Sequence, residues 1–282
     1  MVHERRDAAG ETHVPTAFFM GDFNVGKSTL INALLRREVL VTGREESHTL
    51  PVFVTRSTDG QAQFAALPPE GSIDSRSHEE FLSIRRAEHN ERGYTALGVR
   101  LPASPFSRMV LVDTAGMSSD DFESVEVADL ADQGAALFVV VTDIEYWSAK
   151  HTMDFIAFHH EIFGGALLIV ANKADHLNVN EIRRIVAKAP TRLENYGVKP
   201  APPFFALSAR LEGARQNPQN EYRNRVRPAV REQCDGGFDA FRVALYEFEA
   251  AHTKQTPGPG FEQLLTAPLA ESFIRTQLGG GA

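Results

Sequence analysis

The amino-acid sequence predicts an α/β fold with a mixed, mainly parallel sheet and helices on both faces. Three observations carry that expectation. Compact apolar runs, rich in β-branched and aromatic residues, recur along the chain and end in polar residues. Segments of helix length separate them, the pattern of buried parallel strands with crossover helices. The first run enters a glycine-spaced loop, "GDFNVGKS" (21–28), which opens a helix.

Taken in order, "PTAFFM" (15–20) is a strand, and "STLINALLRR" after the loop places Leu30, Ile31, Leu34 and Leu35 on one helical face. "PVFVTRS" (51–57) and "ALGVRLP" (96–102) read as strands, with "SHEEFLSIRRAEHNE" (77–91) as a helix between them. Four further buried strands lie in "SRMVLVDTAG", "AALFVVVTD", "GGALLIVANKAD" and "PPFFALSA", with helices over Met153 to Ile162 and Glu181 to Ala189. "GFDAFRVALYEFEAA" (237–251) has Phe238, Phe241, Leu245 and Phe248 at helical spacing and closes the domain. The expected organisation is a flexible arm over 1–13, one domain over 14–252, and a turn-rich linker with a short C-terminal helix over 253–282.

Composition bounds the function. Of 282 residues, 43% are hydrophobic and 23% charged, which supports a folded domain over disorder. A formal net charge of -8 repels a phosphate backbone, so no nucleic-acid partner is expected. The single cysteine, Cys234, cannot form an intramolecular disulfide and fits a reducing cytosol. "MVHERRDAAGETHV" has no signal-peptide apolar run, and "AALFVVV" and "GGALLIVA" are too short to span a bilayer. The expected location is cytoplasmic, either free or peripheral to a membrane through a partner.

Four loops carry the chemistry. In the first, backbone N–H groups of Asp22, Phe23, Asn24, Val25, Gly26, Lys27, Ser28 and Thr29 can converge on phosphate oxygens. Lys27, read as lying in a solvent-facing loop, adds a point charge, and the Ser28 hydroxyl can ligate Mg2+. "DTAG" (113–116) puts Asp113 at a strand's C-terminal end, where a carboxylate holds Mg2+ through water, and Gly116 where its N–H can meet a γ-phosphate. "NKAD" (172–175) reads the base: the Asp175 carboxylate accepts from the N1–H and N2–H donors of guanine, which adenine lacks, while Asn172 reaches the carbonyl side and Lys173 lies between them. Such a site rejects the wrong base on the order of 10⁴-fold. "LSA" (207–209), with Ser208 and the Ala209 N–H, completes the base pocket.

In this order the four segments resemble the G motifs of the GTPase superfamily, over roughly residues 14–252, and so imply a P-loop GTPase fold. Within it, "GDFNVGKSTLINALLRREVLVTG", "VRLPASPFSRMVLVDTAGM" and "GGFDAFRVALYEF" are similar to the phosphate loop, strand pair and closing helix of bacterial dynamin-like proteins. DTAG departs from the family where proline often replaces Ala115. Residues 253–282 are too few for the long helical stalk of membrane-remodelling dynamins.

The resemblance implies binding of GTP and GDP with Mg2+, hydrolysis by direct attack of water, and activation by a nucleotide-dependent homodimer or a partner protein. It implies a switch I threonine on Mg2+ and γ-phosphate, for which Thr49 is the candidate and Ser47 the alternative. Met117 stands where Ras-type enzymes carry the glutamine that orients water. Dynamins share that methionine. Asn24 matches the asparagine of potassium-activated GTPases, so it either holds K+ against the phosphates or braces the loop. Asn24, Lys27 and Thr49 are the catalytic candidates. Two other functions stay open: a GTP-dependent switch or scaffold with negligible hydrolysis, and an Era-like ribosome- or RNA-associated GTPase.

Among the remaining residues, Trp147 is expected to pack in the core rather than anchor a partner. His159 and His160 are expected on an exposed helix face. The arginines of "ARQNPQNEYRNRVRPAVR" read as a solvated segment, or as a basic arm toward phosphate.

Overall fold

The computed structural model describes residues 14–42, 50–57, 59–68, 73–85, 93–114, 136–217 and 219–252. Its nine described strands form one sheet: β1 (Thr16–Met20), β2 (Val52–Arg56), β3 (Gln63–Leu67), β4 (Asp74–Arg76), β5 (Ala96–Leu101), β6 (Val110–Asp113), β7 (Ala136–Asp143), β8 (Leu167–Asn172) and β9 (Phe204–Ala206). They lie in the order β4-β3-β5-β2-β6-β1-β7-β8-β9. From β6 to β9 every pairing is parallel. β2 runs antiparallel to β6 and parallel to β5, and β3 is antiparallel to both of its neighbours.

The mixed, mainly parallel sheet expected from the sequence is therefore present. The elaborated second-strand region differs in detail. Beyond the two strands read from the sequence, the hairpin of β3 and β4 extends the sheet, and helix α1 (Lys27–Leu35) is followed by α2 (His78–Arg85) as the helix of that interval. The later helices are α3 (Lys150–Phe163), α4 (Val179–Asn195), α5 (Ala209–Gln216), α6 (Tyr222–Arg225) and α7 (Pro228–His252). The expected C-terminal helix after residue 252 lies outside the described residues.

Alternation on β1 divides the core. Phe18 and Met20 face one apolar layer, closed by α3 and α4 through Phe155, Ile156, Ile182 and Leu193. Ala17 and Phe19 face the other, closed by Leu30, Ile31 and Leu34 of α1 and by Phe81 of α2. Each buried phenylalanine contributes about 1.5–3 kcal/mol. Helix α7 serves both layers: Val230 and Cys234 join the first, and Phe238, Phe241 and Leu245 the second.

The start of α7 corrects the sequence reading, which placed the closing helix from Gly237. The helix begins nine residues earlier with Pro228 in its first turn, a position that proline tolerates because its missing N–H would have no partner there. Gly237 lies inside the helix, and a Cβ there would stand 2.0 Å from the Ala206 carbonyl oxygen. Glycine at this point lets α7 touch the end of β9.

Two further expectations change. His159 is fully buried in α3, not exposed, and lies tilted against Phe155 with ring centroids 4.1 Å apart. Its Nδ1–H donates to the Phe155 carbonyl at 2.7 Å, and burial lowers its pKa to about 4, against which that hydrogen bond works. His160 is half-buried and meets the Pro200 carbonyl at 3.0 Å. Trp147 is buried as expected, edge-on to Phe204 at 5.0 Å. No described helix is long and apolar enough to cross a membrane.

Candidate functional site

The C-terminal ends of β1, β6, β8 and β9 lie along one edge of the parallel half of the sheet, and the four sequence motifs follow them. The phosphate loop leaves β1 at Gly21, whose φ is +136° and where a Cβ would lie 2.1 Å from the Val141 carbonyl oxygen. Asn24 takes φ 60° and Gly26 φ 94°, turning the loop into α1. Among the described residues no side chain caps α1, so its first N–H groups point into the loop.

Lys27 is the first residue of α1 and is only 7% exposed, which corrects the expectation of a solvent-facing side chain. Its ammonium donates to the carbonyls of Gly21 at 2.8 Å and Asp22 at 2.9 Å, closing the loop on itself. The Asp22 carboxylate turns outward, 3.4 Å from His151 Nε2. Phe23 is 49% exposed, and Asn24 beside it is also exposed.

Beneath the loop, Ser28 Oγ donates to Asp113 Oδ2 at 2.7 Å. Asp113 is fully buried at the end of β6, opposite Phe19 in the register of β1. Thr114 continues the strand end and donates to the Phe19 carbonyl at 2.8 Å. The structure thus brings together two hard oxygen donors that the sequence assigned separately to Mg2+. Thr49, Ser47, Gly116 and Met117 lie outside the described residues.

The NKAD turn meets the phosphate loop through one side chain. Asn172, 3% exposed at the end of β8, donates from Nδ2 to the Val25 carbonyl at 2.8 Å and accepts at Oδ1 from the Ala209 N–H at 3.0 Å. Both atoms therefore hold loops together. The Ala209 N–H expected to face the base is engaged here by Asn172, because Ser208 caps α5 and turns that N–H inward. Gly26 is packed against the same amide, and a Cβ there would lie 2.5 Å from Asn172 Nδ2.

Lys173 adopts φ 61° and its ammonium sits 2.9 Å from Asp143 Oδ2 at the end of β7. Asp175 is half-buried, and its Oδ2 accepts a hydrogen bond from the phenol of Tyr222. Neither Asp143 nor Tyr222 was legible as a site residue. Asp143 ends a strand, a position shared by many structural carboxylates, and Tyr222 lies in a polar segment with no periodic signal.

In the arginine segment Arg225 and Arg227 are exposed, whereas Arg215 and Arg223 are tied into ion pairs. Arg215 pairs with Glu212 at 2.6 Å and Asp239 at 2.9 Å, and Arg223 pairs with Asp235.

Residues 16–173, more than half of the chain, match the family described as 50S ribosome-binding GTPase. The chain belongs to this GTPase family. Membership of that family supports GTP hydrolysis as the chemistry of its domain.

The GTPase is also 25% identical over 179 residues to Dynamin-like protein 2 of Campylobacter jejuni subsp. jejuni serotype O:23/36 (strain 81-176). That match covers 63% of the GTPase and 29% of the relative, so the chain spans under a third of the relative's length. Two solved chains superpose with TM-score 0.59, at 13% and 12% identity, covering 95% and 96% of the GTPase and 43% and 40% of those chains. Both come from work on an oligomerised bacterial dynamin pair that senses and tethers membranes over long range. At that identity the likeness shows a shared fold. Together these comparisons show a P-loop GTPase domain similar in sequence and in fold to bacterial dynamin-like proteins. Membership of the family implies Mg2+-dependent nucleotide binding, and the paired oxygens of Ser28 and Asp113 fit that ion.

Proposed function

We propose that the chain binds GTP across the four loops and hydrolyses it by direct attack of water, with activation by a nucleotide-dependent homodimer or a partner. The phosphates take the loop from Asp22 to Thr29. Guanine takes Asp175, with Asn172, Lys173, Ser208 and Ala209 as the surrounding wall. Ser28 and Asp113 would hold Mg2+, joined by Thr49 or Ser47, and Gly116 would meet the γ-phosphate. When bound, the ion neutralises charge between the phosphates.

The observation that carries this reading is the Ser28–Asp113 pair, two residues 85 positions apart held at 2.7 Å beneath the loop. The chain's own residues supply the rest. Lys27 reaches back over the loop to the carbonyls of Gly21 and Asp22, which holds its ammonium where a phosphate would lie and form a charge-assisted bond. Asn172 ties the phosphate loop to the base loops, fixing the span that one nucleotide must bridge.

Asn24 is exposed at the loop tip in a left-handed conformation, which supports a role for its side-chain carbonyl in holding K+ against the phosphates. Ordered switch I backbone in a dimer would give further oxygens. The test measures GTP turnover in potassium, sodium and caesium at matched ionic strength. The expected result is faster hydrolysis in potassium, rising more than linearly with protein concentration, with Asn24→Ala losing the potassium effect and keeping GTP binding. Equal rates in all three salts and constant specific activity would reject both K+ and self-activation, leaving a partner protein as activator.

The likeness to the membrane-tethering dynamin pair supports a peripheral membrane location reached through a partner, within an otherwise cytoplasmic life. A ribosome- or RNA-associated role is favoured by one observation, the description of the matching family. The net charge of -8 opposes it. Salt-dependent co-sedimentation with 50S subunits decides between them.

A further inference from the structure

Behind the base-reading turn stands a side chain that no motif includes. The Tyr222 phenol, on α6, donates to Asp175 Oδ2. Its ring is clamped by Arg210, whose guanidinium carbon lies 3.7 Å from the ring centroid. Arg210 follows Ala209 at the start of α5, so the clamp arises from the loop that borders the base. The next residue, Arg223, grips Asp235 of α7 with both guanidinium nitrogens, one of them at 2.8 Å. Tyr222 is thus fixed from two sides and offers its proton to one carboxylate.

That arrangement has chemical consequences for Asp175. A carboxylate has about four acceptor positions on two oxygens, so one phenol leaves room for two donors from a base. The terminal torsion of an aspartate is broad, and a single fixed donor narrows it. Burial first, then the bond to Asp175 and the charge of that carboxylate, push the Tyr222 phenol up to about 12, so it keeps its proton at neutral pH.

We propose that Tyr222 is a positioning residue for guanine recognition, holding the Asp175 carboxylate aimed at the N1–H and N2–H of the base. The proposal rests on the reading that Asp175 takes guanine.

The experiment measures dissociation constants of the full chain for GDP, IDP and XDP by calorimetry, for wild type, Tyr222→Phe, Arg210→Gln and Asp175→Asn. Inosine lacks the N2 amine, so IDP makes one bond to Asp175 where GDP makes two. Tyr222→Phe keeps the ring and its cation contact and removes one charge-assisted donor, so GDP binding weakens about tenfold. IDP weakens less, and the GDP/IDP ratio shrinks. Arg210→Gln frees the ring, leaves the phenol in place, and gives the same change at smaller amplitude, which keeps the proposal testable should Tyr222→Phe not fold.

Equal losses for GDP and IDP would mean that Tyr222 merely supports the fold and would overturn the proposal. So would unchanged or tighter GDP binding in Tyr222→Phe. In both cases a switch of Asp175→Asn toward XDP shows that the base reading itself survives. If Asp175→Asn shows no preference for XDP, the base reading fails and the role of Tyr222 falls with it.

Discussion

Asn172 donates a hydrogen bond to the carbonyl of Val25 at 2.8 Å across 147 residues of sequence. The same side chain accepts from the Ala209 N–H, so one buried amide joins the loops after β1, β8 and β9. Asn172→Ala strands the Val25 carbonyl and the Ala209 N–H, and each buried unsatisfied group costs about 1–3 kcal/mol. Urea denaturation is expected to show a loss of about 2–6 kcal/mol, with a parallel loss of GDP affinity by calorimetry. Retention of both would mean that the loops hold their places without the amide.

Helix α7 contains adjacent glycines with opposite environments. A Cβ at Gly237 would lie 2.0 Å from the Ala206 carbonyl oxygen, whereas one at Gly236 meets nothing within 4 Å. Gly236→Ala is expected to stabilise the protein by about 0.5–1 kcal/mol, because alanine loses less backbone freedom in a helix. Gly237→Ala is expected to destabilise it, since backbone on both sides must give way. Thermal melts of the two variants check the sign, and equal shifts would show that α7 does not lean on β9.

His159 makes stability depend on pH. Its ordinary pKa of 6.5 falls to about 4 in the folded chain because burial opposes its charge. The neutral ring therefore contributes fully above pH 6.5, and that contribution is lost as pH falls through about 4. His159→Leu removes this dependence. The wild-type protein should lose about 2–3 kcal/mol more than the variant between pH 7 and pH 4 in urea titrations. Identical pH profiles would exclude His159 as a source of acid sensitivity.

Cys234 should resist thiol reagents. Burial, followed by the charges of Asp175 and Asp235, pushes its pKa to about 12, so almost no thiolate exists at neutral pH. Alkylation by iodoacetamide is expected only after unfolding, as mass spectrometry would show. Modification of the folded chain at a rate typical of free cysteine would place the thiol at the surface.

The parallel half of the sheet was legible because its strands are buried on both faces and read as unbroken apolar runs. β3 and β4 were not: "QFAAL" is short and half-exposed, and "DSR" has no apolar residue at all. The closing helix was read from Gly237 rather than Pro228, and sequence cannot show that a backbone passes close to Gly237. The site motifs were legible from glycine spacing and the polar ends of strands. The partners inside the site were not. Ser28 and Asp113 were each read toward Mg2+, but the bond between them, the staple formed by Asn172 and the donation from Tyr222 depend on tertiary neighbours. His159 shows the same limit, because a polar ring within an aromatic cluster leaves no mark on the helical period.

The central place of β1 shapes how the chain emerges during synthesis. Thr16 pairs with Val110 on one side and Ala136 on the other. At about 5–20 residues per second, an apolar strand made early waits on the order of five to twenty seconds for its first neighbour. Until then Ala17, Phe18, Phe19 and Met20, all fully buried in the finished fold, have no sheet to enter. Holdase chaperones that grip short apolar segments would find their target in β1 of the nascent chain, and lose it once β6 and β7 arrive.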